Sequence, residues 1–143
     1  MSRVLSLSLA LLAGASLIWL VQVAAVAVFY LPGILALPKL LRESGLPPAL
    51  VMYVIQLLLP AFGASLLVGL VGFRLPERKG LLFLCLFAPF AAFSLSMNIG
   101  LYVWAGNSWQ SAFAQPYAWL VVCSALLGIG AALLLSSRKG AAS

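Results

Sequence analysis

The chain contains no histidine, and its only acidic residues, Glu43 and Glu77, stand in different polar segments. Because a long apolar run separates the two glutamates, they cannot form the pair of carboxylates that general acid-base catalysis uses. Without histidine, no serine or cysteine has the partner that ordinarily activates it as a nucleophile. We therefore predict that the protein is not an enzyme, with unusual chemistry or a catalytic complex with other subunits as the alternative.

Cysteine is also scarce. Cys85 and Cys123 each lie inside an apolar run with no histidine or acid nearby to complete a metal site, so we predict no metal and no cofactor. Their predicted depths in the membrane differ by more than ~10 Å, whereas a disulfide needs Cα atoms within ~7 Å, so we also predict no bridge between them. The apolar runs lack any titrating carboxylate or imidazole, which argues against proton-driven transport.

Charged residues make up only 7% of the chain, whereas 65% of it is hydrophobic and the mean hydropathy is +1.20. Soluble domains carry roughly 25% charged residues, so this composition excludes a soluble globular protein and predicts a surface in contact with the lipid bilayer. The net charge of +6 comes from short basic clusters between the apolar runs. Because these clusters are not interleaved with exposed aromatic residues, we predict no nucleic-acid partner.

Four long runs carry no charge, at about residues 4–31, 49–73, 81–105 and 117–135. Each has about the 20 residues that a helix needs to cross a hydrocarbon core. The sequence predicts an all-α polytopic membrane protein, a four-transmembrane-helix bundle that forms a single membrane domain over residues 1–143. A signal peptide cleaved near Ala25-Val26-Ala27 is the alternative for the first run, although that run exceeds the roughly 7 to 15 apolar residues of a signal.

Basic residues are divided unequally between the two sides of this topology, with six on one side and only Lys39 and Arg42 on the other. Because cytoplasmic loops are enriched in lysine and arginine, the bias predicts a bacterial inner membrane protein with both termini cytoplasmic. Aromatic residues on the outer side match a membrane boundary. The six bases are Arg3, Arg74, Arg78, Lys79, Arg138 and Lys139, and the aromatic residues are Phe29, Tyr30, Trp104, Trp109, Phe113, Tyr117 and Trp119.

The first outer connection, from Pro32 to Pro48, contains four prolines and a short amphipathic pattern between them. Leucines alternate there with charged residues at helical spacing, which predicts a short helix lying in the membrane interface. A re-entrant loop or a docking site for an outside partner is the alternative. The pattern consists of Leu37, Leu40 and Leu41 with Lys39, Arg42 and Glu43.

Pro60 and Pro89 lie inside the second and third runs, where each is predicted to break its helix by removing a backbone hydrogen bond. Both prolines are followed by small residues and then by a Ser-Leu pair, Ser65-Leu66 and Ser94-Leu95. Similar broken segments in antiparallel helices occur in the inverted repeats of transporters. In a chain this rich in alanine, leucine, phenylalanine and serine, we favour chance as the explanation.

Small residues recur at every fourth position in all four runs. Such stripes let helices approach closely in lipid, so we predict that they pack the bundle internally, with a homo-oligomer interface as the alternative. The stripes are Ser6, Ala10 and Gly14; Ala61, Ser65 and Gly69; Ala88, Ala92, Ser96 and Gly100; and Ser124, Gly128, Ala132 and Ser136.

One set of polar side chains inside the runs is the candidate site. Gln22, Gln56, Asn98 and Ser124 lie at a similar distance from the outer ends of their runs, at a depth of ~10 to 14 Å, and Tyr53 shares the face of Gln56. One hypothesis is that these groups bond to one another across helices and set the register of the bundle. The other is that they line a shallow pocket, open to the outside, for a ligand headgroup or a partner helix.

Two classes of function agree with these observations. The first is a non-enzymatic role through contacts with another membrane component, as an accessory subunit, an assembly factor, or an immunity or modulator protein. The second is a small oligomeric carrier or channel for a neutral solute, an ion or a lipid, in which case the partner is the chain itself. We favour the first because it needs no titrating group within the membrane.

Overall fold

A computed structural model of the protein describes residues 2–142, except that the side chains of Tyr117 and of residues 139–142 lie outside the description, so the predictions for Tyr117 and Lys139 are not compared. All regular structure in the described range is helical. The helices are α1 (Arg3–Phe29), α2 (Leu37–Glu43), α3 (Pro48–Tyr53), a π-helical turn (Val54–Leu58), α4 (Leu59–Gly72), α5 (Lys79–Trp104), α6 (Trp109–Ala114) and α7 (Pro116–Ala142).

Four of these helical segments are long and apolar enough to cross a membrane, which confirms the all-α, multi-pass membrane class. The second of them is the continuous segment Pro48–Gly72, formed by α3, the π-helical turn and α4 together. Local signals define several ends. The Ser2 hydroxyl accepts a hydrogen bond from the Leu5 amide and caps α1, and Gly45, with a φ of 78°, follows α2 in a conformation that favours glycine.

Most charged residues lie at one end of the long helices, whereas Lys39, Arg42 and Glu43 of α2 lie at the other. Arg3, at the start of α1, lies 3.9 Å from Glu77 in the loop between α4 and α5. Lys79 donates to the Phe73 carbonyl at 3.3 Å and to the Ser136 hydroxyl at 3.1 Å, which ties α4, α5 and α7 together at this end. We call this the basic end. We call the opposite end, where α1 and α5 finish and α6 lies, the aromatic end.

The long helices are arranged as a ring in which α1 contacts α4 and α5, and α7 also contacts α4 and α5. The closest pairs, α4 with α7 and α1 with α5, run in the same direction. Consecutive helices α4 and α5 contact each other only slightly, because they lie diagonally across the ring. The Pro60 and Pro89 segments therefore belong to diagonal helices and not to neighbours.

Glycine makes the closest approaches possible. A Cβ atom at Gly14 of α1 would lie 2.5 Å from the Cys85 carbonyl oxygen of α5. A Cβ atom at Gly128 of α7 would lie 2.5 Å from the Phe62 carbonyl oxygen, and one at Gly69 would lie 2.6 Å from the Cβ of Ala132. Real Cβ atoms do not tolerate such distances, so these positions require glycine if the backbones are to stay this close.

Three of the four small-residue stripes follow the internal packing that the sequence predicts. The stripes of α1 and α4 are fully buried, and the stripe of α7 is buried at Gly128 and Ala132 and half-buried at its ends. The stripe of α5 does not follow the prediction, because Ala88, Ala92, Ser96 and Gly100 all face outward. Instead, α5 turns larger residues, such as Leu82, Leu86 and Phe90, towards its neighbours.

The two membrane prolines behave differently. Before Pro60 the helix widens into the π-helical turn, in which the Leu59 amide donates to the Val54 carbonyl, five residues back. This widening moves the proline ring away from the carbonyl one turn earlier, and the helix continues past the proline. The break predicted at Pro89 is wrong, because α5 runs through Pro89 from Lys79 to Trp104. A single missing hydrogen bond does not end a helix that packs along its length.

Two further predictions concern the helix in the first outer connection and the two cysteines. A short helix, α2, does form in the first connection, with Leu41 buried and Lys39 and Arg42 exposed. Cys85 is half-buried in α5, Cys123 is exposed on α7, and both are free thiols.

Candidate functional site

The polar set predicted from the sequence divides into three places. Gln22 of α1 and Asn98 of α5 line one crevice, whereas Tyr53 and Gln56 line a separate groove. Leu57 lines both spaces, so the crevice and the groove lie on either side of this residue. Ser124 of α7 lines neither space, and its hydroxyl donates a hydrogen bond to a backbone carbonyl of the π-helical turn. The structure therefore does not bring all five residues to one cavity.

The crevice lies in the aromatic half of the protein, mainly between α1 and α5. It encloses about 180 Å³, and Leu57 of the second segment and Val121 of α7 complete its lining. Gln22 is seven residues from the end of α1 and Asn98 six residues from the end of α5, which is about 9 to 10 Å by helix rise. The crevice begins beyond the close contact at Gly14, where α1 presents Val21 in place of the small residues of its stripe and α5 contributes Phe90 and Phe93.

The polar groups of the crevice retain much of their hydrogen-bonding capacity. The Asn98 side-chain amide donates to the Ser94 carbonyl at 2.7 Å and lies 3.5 Å from the Ser94 hydroxyl. Among the described residues, nothing donates to the Asn98 side-chain oxygen, the Ser94 hydroxyl has no acceptor, and the Gln22 amide forms no hydrogen bond. The crevice thus offers donors from Gln22 and Ser94 and acceptors from Gln22 and Asn98.

These contacts bear on the hypothesis that the polar groups bond to one another across helices. The amides do not bond to one another across helices within the described part of the chain, since Asn98 bonds only within its own helix. The side chains of Gln22 and Gln56 form no hydrogen bond with another described residue, and an amide without a partner in hydrocarbon is costly.

The second groove lies at the aromatic end between α1 and the second segment. It encloses about 390 Å³ and is more open than the crevice, with Tyr53 and Gln56 on one wall and Phe29 and Tyr30 on the other. Gln56 stands in the π-helical turn and is half-buried. The turn thus sets the direction in which this amide projects.

Ser124 has a structural role. Its hydroxyl donates to the Leu58 carbonyl at 2.6 Å, at the end of the π-helical turn. A serine hydroxyl inside the membrane can satisfy its own hydrogen-bonding capacity by donating to a backbone carbonyl of a neighbouring helix. This bond fastens α7 to the irregular part of the second segment.

A third space lies on the outward face of α5. It encloses about 350 Å³ between α5 and α6, and Ser96 and Gly100 form its small-residue side. Trp109 and Phe113 of α6 form the other side and are 62% and 53% exposed. This groove continues the outward stripe of Ala88 and Ala92 towards the aromatic end.

Several of these features have little signal in the sequence. Ser94 could have been found from its spacing, because it lies one helical turn before Asn98 and shares its face. The outward direction of the α5 stripe could not have been predicted from the sequence, because small residues occur both on faces that contact lipid and on faces that contact another helix. Among the described residues, no cluster of three potential metal ligands is present.

Comparison of the chain with models of protein families, with curated proteins and with solved structures finds no match.

Proposed function

We propose that the protein acts without catalysis, by binding a transmembrane helix of another membrane protein on the outward face of α5. This role is that of an accessory subunit, an assembly factor, or an immunity or modulator protein. The observation that supports it is the orientation of the stripe Ala88, Ala92, Ser96 and Gly100. The other three stripes contact long helices within the protein, whereas this one is exposed at all four positions and faces only the short helix α6, across a groove, at Ser96 and Gly100.

A stripe of this kind suits a helix and not a small solute. Small residues at every fourth position let a second helix come close enough for backbone contacts, which drive association in lipid. Nothing lies within 4 Å of a Cβ atom built at Gly100, so the face has room for a partner. The exposed rings of Trp109 and Phe113 border the same face and provide large apolar contacts for that partner.

The carrier or channel alternative has less support. The aromatic half contains the crevice and both grooves, but towards the basic end the interior is filled by Leu17, Leu82 and Leu86, which are all fully buried. A solute that crossed the membrane through one copy would need these side chains to separate.

The membrane placement belongs to the same proposal. We infer a bacterial inner membrane protein with the basic end and both termini in the cytoplasm, and with α2 lying in the outer interface. The clustering of Arg3, Arg74, Arg78 and Lys79 at one end supports this orientation through the bias of basic residues towards the cytoplasm. Reporter fusions at Ser44, Lys79, Gln110 and the C-terminus test it, and a cytoplasmic signal at Ser44 or Gln110 would refute it.

Purification of the tagged full-length chain from its native membrane in mild detergent, followed by mass spectrometry, tests the binding role. We expect a stoichiometric membrane-protein partner. We expect Ala92→Leu to abolish its recovery, because the larger side chain blocks the close approach of a helix. Ala15→Leu is the matched control, since Ala15 is also exposed but lies on the outward face of α1.

Three outcomes would count against the proposal. These are recovery of the chain as a lone homo-oligomer, which would favour the carrier or channel class, equal loss of the partner in both variants, and no loss in either. Circular dichroism of each variant verifies that the helices remain folded.

A further inference from the structure

We propose that the crevice between α1 and α5 binds an uncharged, membrane-soluble molecule through a hydroxyl group, as a diacylglycerol-type lipid would present. This inference does not depend on the proposed function, because it concerns a different face of α5 and a different kind of ligand.

The chemistry of the lining selects the polar group. Ser94, which is buried, and Gln22 offer donors, while the Asn98 side-chain oxygen and Gln22 offer acceptors. A hydroxyl group both donates and accepts, so it can satisfy the two kinds of group at once. A bare carbonyl group would leave the Asn98 oxygen without a donor.

The surroundings select against charge. No charged residue lines the crevice, and it lies about 9 to 10 Å from the aromatic end by helix rise. An ionic headgroup at this depth would lose its hydration without gaining a counter-charge, whereas a hydroxyl group loses little more than its hydrogen bonds.

The size and the access agree with a lipid. An engineered cavity of about 150 Å³ accommodates a benzene ring, so the crevice of about 180 Å³ can hold a group as large as glycerol. Gln22, Phe93, Met97 and Asn98 are all exposed, whereas Ser94 is buried behind them, so the crevice opens sideways to the hydrocarbon. The acyl chains of a lipid can remain in the bilayer while its hydroxyl group enters.

Photocrosslinking of the full-length chain in phosphatidylcholine vesicles tests this proposal. The probe is a diacylglycerol that carries a diazirine near the carbonyl of one acyl chain and an alkyne for detection. We expect Gln22→Leu and Asn98→Leu each to reduce labelling by about threefold to tenfold, as expected for the loss of a hydrogen bond. The same probe with its hydroxyl group acetylated should label the wild-type chain several times less.

Gln56→Leu is the matched control, because Gln56 is the same type of residue at a similar depth but lines the other groove. We expect it to label as the wild type does, with the labelled peptides containing α1 and α5 residues near Gln22 and Asn98. The proposal is overturned if Gln22→Leu and Asn98→Leu label normally, if Gln56→Leu loses labelling equally, if the acetylated probe labels as strongly, or if labels spread over the whole lipid-facing surface.

Discussion

The basic half and the aromatic half of this protein are built from the same four long helices but differ in how those helices meet. From the basic end to the middle of the membrane, glycines allow backbone contacts, as at Gly14 against α5 and at Gly69 against α7. In the aromatic half the crevice and both grooves lie beside bulky side chains, and amide groups line two of these three spaces. The basic end has a space of its own, of about 240 Å³, which Arg74 and Lys79 line. The two halves therefore differ in how closely the helix backbones approach and in the polar groups that their spaces offer, amides in one half and basic side chains in the other.

The largest expected effect tests the packing difference directly. Gly14→Ala should lower the free energy of unfolding by about 1 to 3 kcal/mol, because the added Cβ meets backbone atoms that cannot move independently. Gly100→Ala should have no effect or raise it by up to about 1 kcal/mol, since nothing lies within 4 Å and alanine favours helix. Unfolding in mixed micelles of increasing denaturing detergent measures both variants. Equal destabilisation would show that the two halves do not differ in packing.

A smaller effect separates two serines that lie between α4 and α7. Ser124→Ala should lower the free energy of unfolding by about 0.6 to 1.7 kcal/mol, because it removes the bond to the Leu58 carbonyl. Ser65 is the control, since its buried hydroxyl has no hydrogen-bond partner in the described structure, and Ser65→Ala should change stability by less than about 0.5 kcal/mol. The same unfolding measurement applies. If Ser65→Ala is the more damaging, its hydroxyl has a partner that the structure does not show.

The smallest effect concerns the ion pair at the basic end. Arg3 and Glu77 lie 3.9 Å apart, and the Arg3 side chain is 68% exposed whereas the Glu77 side chain is 12% exposed. The separation is long and water and salt screen the exposed arginine, so Glu77→Gln, which keeps the size of this side chain, should change the free energy of unfolding by less than about 0.5 kcal/mol. Repeating the measurement at high salt should remove the difference from the wild type. If the free energy of unfolding changes by more than about 1 kcal/mol and the change persists at high salt, the ion pair stabilises the basic end substantially.

The sequence predicted four apolar helices, and the structure has four segments of that kind, although the run 117–135 lies within a longer one, Trp109–Arg138. The charge-free runs 4–31, 49–73 and 81–105 correspond to Arg3–Phe29, Pro48–Gly72 and Lys79–Trp104. The reason is that lipid tolerates neither charged side chains nor unpaired backbone groups, so charged loops and apolar helices alternate visibly along the chain. The predicted depth of each polar residue rests on the same boundaries, because helix rise converts a residue count into a distance.

The directions in which the side chains point were decided only by the tertiary structure. A transmembrane helix is apolar on every face, so no contrast between polar and apolar sides indicates which one meets a neighbour. The sequence pattern therefore did not show that the α5 stripe at Ala92 is exposed whereas the α4 stripe at Ser65 is buried. It also did not show that Gln22 shares a crevice with Asn98 and not with Gln56. Those outcomes depend on which helix backbones can approach most closely, and that is a property of all four helices packed together.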